Sequence, residues 1–92
     1  MIRSFRDRDT SKLFTARRSR RFAAVAKVAL RKLDQLEAAK SLDDLRIPPA
    51  NRLEALKGDR QGQHSIRIND QFRVCFFWRS DGAHEVQIVD YH

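Results

Sequence analysis

The hydrophobic period of this chain changes partway along, and that change restricts the fold more than any other feature. From Arg21 to Lys40 the residues Phe22, Val25, Ala26, Ala29, Leu33 and Leu36 recur at spacings of three and four. They therefore form one stripe along a helix, with Lys27, Arg31 and Asp34 opposite. Pro48 and Pro49 cannot continue a helix, and beyond them period two takes over. "HSIRIN" alternates His64, Ile66 and Ile68 with Ser65, Arg67 and Asn69. "QFRVCFFWR" sets Phe72, Val74, Phe76 and Trp78 against Arg73, Cys75, Phe77 and Arg79, and "EVQIVDYH" supplies a last strand. The links "NDQ" and "SDGA" suit hairpin turns, with Gly82 available for positive φ. A helical half followed by an antiparallel meander predicts an α+β domain with helices on one face of a small sheet.

Ahead of the long helix, "MIRSF" alternates Ile2 and Phe5 with charge and reads as a short first strand. "DTSKLFTAR" reads as a helix with Asp9 or Thr10 as N-cap, and "ARRSRR" interrupts it. Ser41 with Asp43 and Asp44 caps a further turn before the prolines. Residues 1–92 are expected to form one domain, because a chain this short holds one core. The single cysteine excludes an internal disulfide and suits the reducing cytoplasm. The charged start lacks the apolar region of a signal peptide. No apolar stretch approaches the roughly 20 residues of a membrane span.

Charge is unevenly placed. Residues 1–40 hold 12 Lys and Arg against 4 Asp and Glu, a net +8, while residues 41–92 hold 7 against 8, a net −1. Such a footprint fits a partner rich in phosphate, whose counterions are released on binding. A membrane surface or an acidic protein would also be attracted. Arg17, Arg18, Arg20, Arg21, Lys27 and Arg31 are the candidate contacts to RNA; solvated surface charge is the bland alternative.

If the large apolar residues of the sheet meet the helices, Arg73 and Arg79 stand on the open side. There the set Lys57, Arg60, Arg73, Asp90, Tyr91 and His92 becomes relevant. RNA can be cut without a metal if three tasks are met. A base takes the 2′-hydroxyl proton, cations hold the phosphate as charge builds, and an acid protonates the leaving 5′-oxygen. Histidine can serve either proton role. Lysine and arginine supply the charge, and arginine adds a fork matched to phosphate. Tyrosine can stack on a base.

Each residue also has a plainer reading. Lys57 and Arg60 flank turn glycines as solvated charges, Arg73 can be an outward strand residue, and the last three residues can be a polar chain end. His64 reads as a packed or edge histidine and Cys75 as a buried thiol. The sequence shows no Cys/His metal-ligand spacing and no Gly-rich phosphate loop.

The stretches "NRLEALKGDRQGQHSIRINDQFRVCFFW" and "VQIVDYH", with the "MIRSF" opening, resemble the HigB toxins of the RelE/ParE superfamily. The likeness lies in L-x-x-L-K-G-D-R-x-G, the I-R-[IV]-N-x-x-[WF]-R strand pair and the D-Y-H end. It implies a RelE-like fold and a type II toxin that cuts mRNA in the ribosomal A site of the 30S subunit. It also implies action without metal or organic cofactor, and a HigA-like helix-turn-helix antitoxin as partner. By position, the resemblance assigns Lys57 and Arg73 to phosphate and transition-state charge. Asp90 and His92 take proton transfer, and Tyr91 orients the RNA. Arg60 is added as a further phosphate contact. Family members often carry histidine three residues before the lysine of L-K-G-D, where this chain has Glu54. A carboxylate can act as general base but cannot carry positive charge as imidazolium does. Two alternatives stand beside this reading: a non-catalytic module binding RNA or antitoxin, and a gyrase-poisoning ParE-like toxin.

Overall fold

A computed structural model describes residues 1–91. Helices α1 (Arg8–Ala16) and α2 (Ala26–Ala38) precede the strands β1 (Glu54–Ala55), β2 (His64–Arg67), β3 (Phe72–Arg79) and β4 (Gly82–Asp90). The strands form one antiparallel sheet in the order β1-β2-β3-β4. The α+β arrangement follows the change of period. Phe22, Ala29, Leu33 and Leu36 of the helical stripe are buried against Ile66, Val74, Phe76, Val86 and Ile88 of the sheet. Phe22 meets Phe72 edge-on at 6.1 Å.

Helix α1 starts earlier than the sequence suggests. Its N-cap is Asp7, which accepts from the Thr10 backbone N–H at 3.1 Å. Asp9 lies in the first turn, and Thr10 is buried, its Oγ1 accepting from the Ile88 backbone N–H at 3.1 Å. Arg17, in the left-handed conformation, ends the helix. The region expected to be helical from Arg21 opens with a 3₁₀ turn, Ala23–Val25, before α2. Ser41 and Asp44 form the expected capping box of the turn Leu42–Arg46.

The opening segment is not a regular strand. Ile2 and Phe5 make isolated bridges to Ala83 and Val86, parallel to β4. Between those bridges, β4 carries a bulge opposite Cys75 and Phe77. Glu85 there adopts φ 51° and donates its N–H to the Ser4 hydroxyl. The bulge breaks the ladder that a continuous fifth strand would need. Gly82 passes so close to the chain start that a Cβ on it would lie 2.0 Å from the Met1 carbonyl oxygen.

The two faces of the sheet fare differently. Helices cover the side of Val74 and Phe76. Part of the other is covered by the chain between β1 and β2, which turns at Gly58–Arg60. Gly62, at φ +97°, lies over Phe77; a Cβ there would meet the ring at 3.4 Å. The remainder of this face, between that turn and the end of β4, is termed the groove; its Ser65 and Cys75 are buried beneath the side chains around them.

Candidate functional site

The register puts Glu54 beside Ser65, Ser65 beside Cys75, and Cys75 beside Gln87, a row that crosses all four strands. Residues opposite each other in a ladder share a face, so this row floors the groove. Arg73, two residues before Cys75, stands on the same side and is held twice. Its Nε donates to Ser65 Oγ at 2.8 Å and its Nη2 to the Arg52 carbonyl at 2.7 Å. Arg52 is itself left-handed, at φ 46°, a conformation that few non-glycine residues adopt. Nη1 of Arg73 donates to no group among the described residues.

Arg60 reaches in from the Gly58–Arg60 turn. Its Nη1 lies 3.4 Å from both Gln63 Oε1 and Gln87 Oε1, a looser hold than that on Arg73. Lys57, exposed, caps the same turn, its carbonyl accepting from the Arg60 N–H.

Tyr91 returns to this face one residue beyond β4, where its N–H donates to the Gln71 carbonyl at 2.6 Å. Its hydroxyl lies 3.6 Å from Cys75 Sγ. Tyr91 as a whole stays 44% exposed while its hydroxyl points inward. Burial of that hydroxyl, then the thiol contact, push the phenol up to about 12, although Arg60 and Arg73 pull the other way. Cys75 is fully buried, as its apolar strand suggested, but it sits outside the helix-side core. Burial raises its thiol, against smaller opposing effects of Tyr91, Arg60 and Arg73; Glu54 adds to the rise. Glu54, Arg60, Arg73 and Tyr91 are thus all close enough to act electrostatically on one buried sulfur.

Asp90 and Tyr91 do not share one face. Asp90 pairs with Phe72, whose ring packs against Phe22, so Asp90 lies on the helix side of the strand end. It accepts from Gln71 Nε2 at 3.2 Å. The expectation that Asp90 stands beside Arg73 is corrected by the alternation of the strand: Arg73 pairs with Val89, and Asp90 is one step further. His92 lies outside the described residues. His64 is packed as expected, stacked on Phe76 at 6.5 Å, with its pKa lowered by burial and by Arg46.

The basic residues of the helical half divide into two kinds. Arg17 makes a two-pronged pair with Asp34 at 2.9 and 2.7 Å and joins the helices. Arg21 pairs with Asp9 at 3.0 Å and lies over the Phe22 ring. Arg18 and Arg20, with Lys12, Ser19 and Ala23, instead line a concavity of about 460 Å³. Lys12, Arg18 and Arg20 have no ion partner among the described residues. Lys27 and Arg31 are exposed on α2.

The family model described as RelE-like toxin of type II toxin-antitoxin system HigB matches residues 3–92. The chain belongs to the HigB-like toxin family. It is 46% identical over 56 residues to Toxin HigB-1 of Vibrio cholerae, a stretch covering 61% of this chain and 59% of that protein. It is 37% identical over 62 residues to an uncharacterized protein of Haemophilus influenzae, covering 67% of this chain and 61% of that one. The matches thus span about three-fifths of these relatives. The YoeB-YefM complex from Staphylococcus aureus contains a similar fold, with TM-score 0.58 at 18% identity over 100% of this chain and 98% of that one.

In this HigB-like toxin, sequence reasoning missed Ser65, Gln63, Gln87 and the Arg52 carbonyl. Parity with Arg73 marks Cys75, but cross-strand neighbours require the register. Among the described residues, no three His, Cys, Asp or Glu side chains gather where they could share a metal ion. No described helix is long and apolar enough to cross a membrane.

Proposed function

We propose that this HigB-like toxin is a ribosome-dependent endoribonuclease that cuts mRNA in the A site, acts in the cytoplasm, and is held inactive by a HigA-like helix-turn-helix antitoxin. The observation that carries the reading is the convergence of Glu54, Arg60, Arg73 and Tyr91 on the groove over Cys75. Acid, cations and an aromatic ring around one strip of sheet are what a bound phosphodiester needs.

In this reading Glu54 takes the proton of the 2′-hydroxyl. The freed oxygen attacks phosphorus, the bond to the 5′-oxygen breaks, and a 2′,3′-cyclic phosphate forms. His92, whose role rests on the family pattern, gives its proton to the departing 5′-oxygen. Arg73, pre-aimed by Ser65 and Arg52, turns its remaining Nη1 to the phosphate, where charge accumulates. Arg60 and Lys57 hold the adjoining backbone. Tyr91 keeps its proton across the physiological range and offers its exposed ring to a base.

Induction of the chain in bacteria, with mapping of mRNA 5′ ends, tests this. New codon-phased ends and growth arrest are expected, with both lost in Arg73→Ala. Arrest without new ends, or a folded Arg73→Ala as toxic as the parent, would overturn the nuclease.

A further inference from the structure

Arg60 stands between two spaces. On one side is the groove, where its charge acts on Cys75 and Tyr91. On the other is a separate concavity of about 280 Å³, lined by Arg6, Asp59, Arg60 and Gln63. We propose that this second concavity is a subsite for one nucleobase of the RNA strand, selective for a base that carries an exocyclic amino group. The inference rests on the nuclease reading and deepens it.

Three observations support it. Gln63 is only 7% exposed. Its Oε1 is taken by Arg60, while its Nε2 donates to no group among the described residues. That amide is therefore free to donate to an acceptor on a ligand. Asp59, exposed on the same wall, is an acceptor suited to an amino group and repels a bare phosphate. Arg6 and Arg60 present planar guanidinium groups on which a base can stack. Arg6 is held only loosely, 3.6 Å from Glu85. The volume lies below the roughly 300–1,000 Å³ of pockets for larger ligands, which suits one base. Adenine, cytosine and guanine offer an amino donor to Asp59 beside an acceptor for Gln63; uracil has no amino group.

The full chain, labelled with ¹⁵N, is titrated with the four nucleoside 5′-monophosphates and with inorganic phosphate. The Gln63 side-chain amide and the Arg60 Nε signal should move with the amino-bearing bases. The uridine nucleotide should bind at least about fivefold more weakly, the lower end of what one good base contact discriminates. Phosphate should leave Gln63 in place. Asp59→Ala and Arg6→Gln, both at exposed positions, keep the fold by circular dichroism; Asp59→Ala, which removes the acceptor, should erase the preference. In mRNA cut by Asp59→Ala on programmed ribosomes, base preference at one position beside the cleavage point should flatten while cutting continues. Equal Gln63 shifts with uridine nucleotide or phosphate, or a silent Gln63, overturn the subsite. Selective binding without mRNA cleavage by the parent chain on programmed ribosomes would instead overturn the nuclease reading.

Discussion

Arg73 is the side chain whose geometry most resembles a tool already set in place. Its two anchors, Ser65 Oγ and the Arg52 carbonyl, fix the guanidinium plane before any substrate arrives, so little reorganisation is needed as charge develops. Arg73→Ala should lower the cleavage rate on programmed ribosomes by about 10²–10³-fold. Ser65→Ala removes one anchor and should cost about tenfold in rate with ribosome binding unchanged, a split that loss of folding would not produce. Tyr91 gives a second residue-level test, because it is the only tyrosine in the chain. Its phenol is raised to about 12, so tyrosinate absorbance should remain low at pH 10.5 and climb there in Cys75→Ala. The folded state holds a proton that the unfolded chain releases near 10, so this group makes stability fall as pH rises between about 10 and 12. The outward placement of Arg73 was readable from the alternation around it. Ser65 was not, because a small polar residue in an alternating strand looks the same whether it faces solvent or anchors a neighbour.

At the scale of elements, the sequence pattern revealed which segments pair but not how they are offset. Period two marked β2, β3 and β4 and their faces, and the helical stripe marked α2. The bulge at Glu85 and the passage of the opening segment along β4 depend on contacts between residues some 80 positions apart, such as Ser4 Oγ with the Glu85 N–H, which no local window contains. Gly82 is where that long-range pairing becomes strict. In Gly82→Ala the new methyl would strike the Met1 carbonyl, a backbone atom with little freedom to yield. Urea denaturation should show a loss of roughly 2–3 kcal/mol. Lys32 is the other surprise: it falls within the buried stripe, with its Nζ 2.5 Å from Asn51 Oδ1 and Asn51 bonded in turn to Gln35 and Leu45. Burial, then Arg31 and Arg67, lower its pKa from 10.5. The unfolded chain then binds the extra proton in the window just below 10.5, so stability rises with pH there. That upward slope should vanish in Lys32→Met, whatever the substitution does to stability at neutral pH.

Across the whole molecule, the layering separates two kinds of surface. The sheet turns one face to the helices and keeps a groove on the other, while the excess positive charge resides in the helical half. Charge count alone treats Arg17, Arg18, Arg20 and Arg21 as equivalent. The fold distinguishes them, because Asp34 and Asp9 lie far from the arginine run in sequence yet close in space. Arg17 and Arg21 are occupied in joining the helical segments, whereas Lys12, Arg18 and Arg20 ring a concavity with no ion partner among the described residues. If this corner grips the phosphates of ribosomal RNA, each uncompensated cation contributes counterion release and the paired ones do not. Ribosome affinity measured across salt concentrations should lose about one unit of log–log slope for each of Lys12→Ala, Arg18→Ala and Arg20→Ala. Arg17→Ala should leave that slope in place and lower the melting temperature instead. The opposite outcome, a slope carried by Arg17 and indifferent to Arg18 and Arg20, would show that the ion pairs open on the ribosome and that the concavity is only a surface feature.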